Sequence, residues 1–87
     1  MQTSKQKIER RLSIIAGQVR GLQEMVKEDA YCIDVITQTS AVKQALTVIE
    51  DLLLENHLST CVIKQIKGGK EKKAIEEILK VYGLKRK

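Results

Sequence analysis

The chain has 87 residues and a formal net charge of +5, with 16 Lys and Arg residues against 11 Asp and Glu residues. This length predicts a single domain over residues 1–87, with so small a core that we expect the chain to oligomerise. The basic balance permits nucleic acid or an anionic surface as a partner. No apolar run approaches the roughly 18 residues of a membrane span. Residues 1–7 are polar and do not resemble a signal peptide, so we expect a cytoplasmic protein with reduced thiols.

In the first part of the chain, apolar residues recur at alternating spacings of four and three residues between Ile8 and Val26. This is the seam of a helix packed on another helix, and it predicts a first helix over about residues 5–28. Thr3 and Gln6 have the spacing of a capping box at its start. The chain has 2% aromatic residues and no Pro. Its apolar residues are mostly Leu, Ile, Val and Ala, a composition typical of packed helices.

The second helix is expected to be one long stretch over residues 31–64, because no Gly or Pro falls between residues 23 and 67. Asp29 is its expected N-cap, in a short polar link that favours an antiparallel pair of helices. Gly68 and Gly69 are expected to end this helix, since glycine is the usual residue just past a helix C-terminus.

A third and shorter helix is predicted over about residues 70–82, where Ala74, Ile78 and Tyr82 lie on one apolar face. Gly83 is expected to end it, ahead of a basic tail over residues 85–87. The predicted fold class is therefore all-α, with two long antiparallel helices and a short C-terminal helix in each protomer.

The chain's only two cysteines and only histidine, Cys32, Cys61 and His57, are candidate metal ligands. His57 and Cys61 are four residues apart, so on an α-helix they share one face. Cys32 points within roughly 20° of that face but lies about 37 Å away along the axis. One unbroken helix cannot bring the three together. Two antiparallel copies can, with Cys32 of one chain beside His57 and Cys61 of the other, and two-fold symmetry then gives two equal sites.

A cysteine on a helix is often only a core residue, but the shared face and the polar neighbours Glu55 and Asn56 of His57 favour a metal site. Two thiolates and one imidazole suit Cu(I), which prefers soft donors. Zinc would need a fourth ligand from water or a carboxylate, and nickel or cobalt usually needs more nitrogen or oxygen donors. With one histidine and no acid–base set beside it, we expect no enzymatic activity.

Several stretches of the chain together match the motifs of one family. They are Arg11-Leu12, Gly17-Gln18-Val19-Arg20-Gly21-Leu22, Tyr31-Cys32-Ile33-Asp34-Val35, Thr37-Gln38 and Leu53-Leu54-Glu55-Asn56-His57-Leu58 with Cys61. On these residues the chain closely resembles the CsoR/RcnR family of metal-sensing transcriptional repressors, and within it the Cu(I)-sensing CsoR branch. The resemblance covers nearly the whole chain. It implies a disc-shaped homotetramer, a dimer of antiparallel dimers, built from three-helix protomers without a winged helix or a standard helix-turn-helix.

The resemblance implies that Cu(I) is bound by Cys32 of one protomer and by His57 and Cys61 of another. It also implies that Tyr31 and Glu77 link the metal site to the fold, as residues around metal ligands commonly do. The nickel and cobalt branch carries further histidines that are missing here. The persulfide-sensing branch keeps both cysteines but lacks the histidine, so it is the closest rival, because two thiols across an interface can be bridged by sulfur.

For operator DNA, the resemblance implies basic residues on the tetramer face formed by the first two helices. The candidates are Arg11 and Arg20, supported by Arg10, Lys7 and Lys43, and they are expected to contact mainly phosphates. Thr47 is a departure, because many relatives carry Arg or Lys there.

The function expected from the resemblance is a copper(I)-responsive repressor whose apo tetramer binds operator DNA. Cu(I) would release it and derepress genes of copper efflux and homeostasis. Two alternatives stay open at this point: a persulfide-sensing repressor of the same family, and a copper-buffering module that does not bind DNA.

Overall fold

The computed structural model describes residues 4–86, which are helical apart from two short links and Arg86. The elements are α1 (Ser4–Lys27), α2 (Cys32–His57), a π-helical turn (Leu58–Val62), α3 (Ile63–Lys67) and α4 (Glu71–Lys85). No strand occurs within residues 4–86, and the all-α expectation is confirmed. Thr3 lies outside the described residues, so the capping box with Gln6 stays a prediction.

The chain divides into two compact units, with the boundary between Leu53 and Leu54. The single-domain expectation for residues 1–87 therefore stays a prediction. In the first unit, α1 packs against α2 through a small core, which consists of Ile15, Val42 and Ile49 with Ile8, Leu22 and Ala45 packed around it. In the second unit, the buried apolar residues are Val62 in the π-helical turn and Ala74 in α4.

The link between α1 and α2 ends α1 with a Schellman motif. The Ala30 N–H donates to the Met25 carbonyl at 2.9 Å, and the Asp29 N–H donates to the Val26 carbonyl at 3.2 Å. Asp29 takes the left-handed position that this motif needs, with φ 54°. The expectation that Asp29 is the N-cap of the second helix is therefore wrong. The link contains no glycine, and Asp is one of the few other residues that tolerate a left-handed backbone.

The first carbonyl of α2 belongs to Tyr31, which accepts from the backbone N–H groups of Asp34 at 3.0 Å and Val35 at 3.2 Å. Asp34 lies in the first turn, where a negative charge favours the helix dipole. The second predicted helix thus begins one residue after its expected start, and its first hydrogen bonds go to the Tyr31 carbonyl.

The long second helix is interrupted where the sequence predicts continuity. Regular α-helical hydrogen bonding stops at His57. The π-helical turn follows, and α-helical bonding resumes in the short α3. The expected end at Gly68 and Gly69 is confirmed, because Gly69 has φ 77° and the Lys70 N–H donates to the Gln65 carbonyl at 2.7 Å.

Gly83 does not end the third predicted helix, and that expectation is wrong. α4 continues through it to Lys85, and the Arg86 guanidinium carbon lies 5.5 Å from the centre of the Tyr82 ring. A glycine inside a helix costs about 1 kcal/mol relative to alanine, which weakens a helix without breaking it.

Candidate metal centre and basic groove

His57, the last residue of α2, faces a carboxylate of α4 within the second unit. The distance from His57 Nε2 to Glu77 Oε2 is 3.3 Å, and both side chains are partly exposed. When Nε2–H donates to this carboxylate, Nδ1 is left with a free lone pair for a metal ion. Glu77 therefore selects the ring nitrogen that His57 can offer.

Cys61 lies inside the π-helical turn, four residues after His57. Its thiol is free and exposed, and its Sγ atom lies 3.7 Å from Oγ1 of Thr60. A π-helical turn spreads one turn over more residues than the 3.6 of an α-helix. Cys61 is consequently rotated back from the position that a continuous α-helix would give it. The expectation that it follows His57 in regular α-helix needs this correction.

Two hydroxyl groups of this turn donate to one carbonyl at the end of α2. Ser59 Oγ donates to the Asn56 carbonyl oxygen at 3.2 Å, and Thr60 Oγ1 donates to the same oxygen at 2.7 Å. Sequence reasoning missed this arrangement. The sequence carries no distinctive signal for it, because Thr39 and Ser40 are also adjacent hydroxyl residues and lie in a regular part of α2.

Cys32 and Tyr31 stand at the start of α2 in the first unit, and both are exposed. The Cys32 thiol is free, like that of Cys61. Within residues 4–86 of one chain, no group of three or more His, Cys, Asp or Glu side chains could hold a metal ion. The three-ligand set of Cys32, His57 and Cys61, and the role of Tyr31, stay predictions.

The donors present suit the metal that the resemblance implies. One imidazole, held by Glu77, and one free thiol lie close in sequence around the π-helical turn, and the chain holds a second free thiol at Cys32. Thiolate and imidazole are the donor types that bind Cu(I), whereas carboxylate-rich sites suit hard cations. A copper ion therefore fits the chemistry of these side chains.

Three of the predicted DNA-contacting residues line one groove of about 380 Å³ in the first unit. The basic groove is formed by Lys7, Arg10, Arg11, Ile14 and Leu52. The four residues from α1 follow the spacing of one helical face, so their side chains reach the same groove. Three cations around a cleft have the charge that suits an anion, and a guanidinium group can bind two phosphate oxygens at once.

The other two predicted DNA-contacting residues, Arg20 on α1 and Lys43 on α2, are exposed and do not line this groove. None of the helices described over residues 4–86 has the length and apolar character needed to cross a membrane.

An all-helical chain that presents a cationic groove and a histidine–cysteine turn has the features of a small ligand-responsive nucleic-acid-binding protein. The family model described as metal-sensitive transcriptional repressor matches residues 4–83. The chain belongs to this family.

Named relatives give the same result. The chain is 46% identical over 78 residues to the copper-sensing transcriptional repressor CsoR of Bacillus subtilis strain 168, covering 90% of this chain and 77% of the relative. It is 50% identical over 60 residues to the copper-sensing transcriptional repressor RicR of Mycobacterium tuberculosis, covering 69% of this chain and 62% of that one. The crystal structure of the copper-sensing repressor CsoR with Cu(I) from Geobacillus thermodenitrificans NG80-2 matches with a TM-score of 0.88 at 38% identity, covering 100% of this chain and 93% of that chain.

Proposed function

We propose that this chain is a copper(I)-responsive transcriptional repressor of the cytosol, which binds operator DNA as an apo homotetramer and releases it when Cu(I) binds. The observation that carries the proposal is the imidazole of His57, held by Glu77 at 3.3 Å and followed four residues later by the free thiol of Cys61. Relatives named copper-sensing repressors, and a similar structure that contains Cu(I), support the choice of metal.

The ligands are Cys32 of one protomer and His57 and Cys61 of another. Bound Cu(I) would link these two thiolates and one imidazole. His57 offers Nδ1 because Glu77 engages Nε2, so the carboxylate orients the ring before any metal arrives. Tyr31, next to Cys32, is the second residue expected to connect the ligands to the fold.

Apolar exposure supports assembly of several copies. Among the described residues of the first unit only three apolar side chains are buried, and many large apolar side chains of α1 and α2 stay exposed. They include Leu12, Val19, Val26, Ile33, Ile36 and Leu46. Exposed apolar side chains in this number are typical of a chain that buries them against further copies of itself. A dimer of antiparallel dimers would cover them and would bring Cys32 to its partner ligands.

The basic groove supports DNA as the partner of the apo protein. Lys7, Arg10 and Arg11 contact phosphates, and Arg20 and Lys43 extend the same role over α1 and α2. Each neutralised phosphate contributes about −0.9 to the slope of log K against log salt concentration, so binding by several copies is steeply salt-dependent.

Copper and DNA oppose each other through linkage. If Cu(I) lowers the affinity for DNA by some factor, DNA lowers the affinity for Cu(I) by the same factor. A coupling free energy of about 1–3 kcal/mol, or somewhat more, is enough for a switch. The contact of His57 with Glu77 is the step by which a change at the ligands reaches α4.

The test is binding of the reduced apo protein to the DNA upstream of its own gene, titrated without oxygen with Cu(I) and separately with a persulfide donor. Release at about one Cu(I) per protomer, abolished in Cys32→Ala, is the expected result. Release by the persulfide donor alone would assign the protein to sulfur sensing. Copper binding that is equal with and without DNA, or no DNA binding at all, would favour a copper buffer and contradict the repressor.

A further inference from the structure

The π-helical turn separates the two proposed copper ligands that come from the same chain. Regular α-helical bonding ends at His57, and Cys61 lies within the turn. Turns of this kind inside helices are rare and are frequent at functional sites. The direction of the Cys61 thiol relative to the His57 ring therefore depends on whether this segment stays a π-helical turn or relaxes into an α-helix.

The hydroxyl pattern distinguishes this turn from the regular part of α2. Thr37, Thr39 and Thr47 each donate to the carbonyl four residues earlier, at 2.8, 2.8 and 3.1 Å, and α2 stays regular there. Ser59 and Thr60 of the π-helical turn, by contrast, both donate to one carbonyl, that of Asn56 in the last turn of α2. Two side-chain donors on one oxygen compete with the backbone N–H that a regular helix would place there.

Thr60 also touches the ligand itself. Its Oγ1 atom lies 2.7 Å from the Asn56 carbonyl oxygen and 3.7 Å from Cys61 Sγ. The hydroxyl has one proton for these two acceptors, and the carbonyl at the shorter distance is the stronger partner. The side chain thus bridges the carbonyl that precedes His57 and the thiol of Cys61.

We propose that Thr60 is a positioning residue of the metal site, which, together with Ser59, holds the π-helical turn through the Asn56 carbonyl and so sets the direction of Cys61 relative to His57. This inference rests on the proposed copper function. It predicts that the direction of Cys61 relative to His57 is already set in the apo protein. The hydrogen bonds that set it do not involve the His57 ring. The turn is then a means of tuning copper affinity without changing a ligand.

The test compares Thr60→Val, which keeps the branched shape and removes the hydroxyl, with Thr60→Ser, which restores the hydroxyl. Thr47→Val is the matched control, because it removes the same kind of bond, here to the Lys43 carbonyl at 3.1 Å, from a regular part of α2. Two readouts are needed: backbone NMR chemical shifts and amide exchange of residues 57–63 in the apo protein, and Cu(I) affinity by competition with a chelator of known strength.

The expected result for Thr60→Val is loss of the π-helical pattern in the apo protein and a fall in Cu(I) affinity of about tenfold or more, the size usual for residues that support metal ligands. Thr60→Ser should recover both properties, and Thr47→Val should change neither. Unchanged apo shifts or unchanged Cu(I) affinity in a folded Thr60→Val protein would overturn the inference. If the wild type shows no copper response on DNA, the proposed function fails, and the apo NMR comparison still decides whether Thr60 holds the turn.

Discussion

The Nε2 atom of His57 lies 3.3 Å from the Oε2 atom of Glu77, which joins the end of α2 to α4. Both side chains retain solvent access, so this contact adds little to the free energy of unfolding, about 0–1 kcal/mol. Its effect is to fix the direction of the imidazole ring. A metal ion that binds Nδ1 and moves the ring would therefore change the contact with Glu77. This residue lies on α4, which carries no proposed ligand.

Replacement of Glu77 by Gln keeps the shape of the side chain and removes its charge. We expect Cu(I) affinity to fall about 10- to 100-fold, because a histidine ligand loses the carboxylate that orients it. DNA affinity of the apo protein should change little, which fluorescence anisotropy with labelled operator DNA measures. Glu76→Gln, at the exposed neighbouring position, is the control. Wild-type copper affinity and wild-type release in Glu77→Gln would contradict the role of this contact.

Substitution in the basic groove should weaken DNA binding without affecting copper. Arg11→Gln removes one guanidinium from the groove, so the slope of log K against log salt concentration should become shallower by about 0.9 for each phosphate that the variant no longer neutralises. Lys73→Gln removes the same charge from α4 and controls for net charge. Equal salt slopes in the two variants would show that the groove does not bind DNA.

Assembly should depend on the exposed apolar side chains of α2. Leu46 is 42% exposed in the single chain and lies fourteen residues, two seven-residue repeats, after Cys32. Leu46→Glu places a charge where the antiparallel partner is expected, and a buried unpaired charge is costly. Analytical ultracentrifugation should show loss of the tetramer, and Cu(I) affinity should fall with it. Gln44→Glu, which is exposed on the same helix, should stay tetrameric; dissociation of both variants would point to charge alone.

Asp29 offers a prediction about stability rather than function. Its left-handed backbone, with φ 54°, costs an ordinary L-residue about 1–2 kcal/mol. Asp29→Gly should raise the free energy of unfolding by up to about 1 kcal/mol, and Asp29→Val should lower it by about 1–2 kcal/mol. Urea unfolding at fixed protein concentration measures both. If the two variants are equally stable, the Schellman motif does not require this conformation in solution.

Most of the helical fold can be predicted from the sequence, because it depends on periodicity and on glycine. The seam from Ile8 to Val26 falls within α1, and Gly69 ends α3 in the left-handed conformation. The predictions for Asp29 and Gly83 are wrong for related reasons. The preference of Asp for an N-cap, or of Gly for a helix end, contributes only about 1 kcal/mol to helix stability. Neighbouring backbone hydrogen bonds can override a preference of that size.

The sequence offers candidate residues for the site but not their geometry. The spacing of His57 and Cys61 is readable from the sequence, and Glu77 is expected only through the resemblance. The π-helical turn is not expected, because an α-helix and a π-helical turn use the same backbone groups and differ only in which N–H each carbonyl accepts. That choice depends on the Ser59 and Thr60 hydroxyls at the Asn56 carbonyl, which no periodicity reveals.

The boundary between Leu53 and Leu54 separates two sets of side chains. The groove residues, from Lys7 to Leu52, all precede it, and the His57–Cys61 turn and Glu77 all follow it. We therefore expect substitutions in the later segment to change the inducer to which the protein responds and to leave the proposed DNA-binding groove unchanged. All proposed metal ligands except Cys32 lie in this later segment. Substitutions confined to the last part of the coding sequence could therefore give a duplicated gene a new inducer while its product keeps its old promoters.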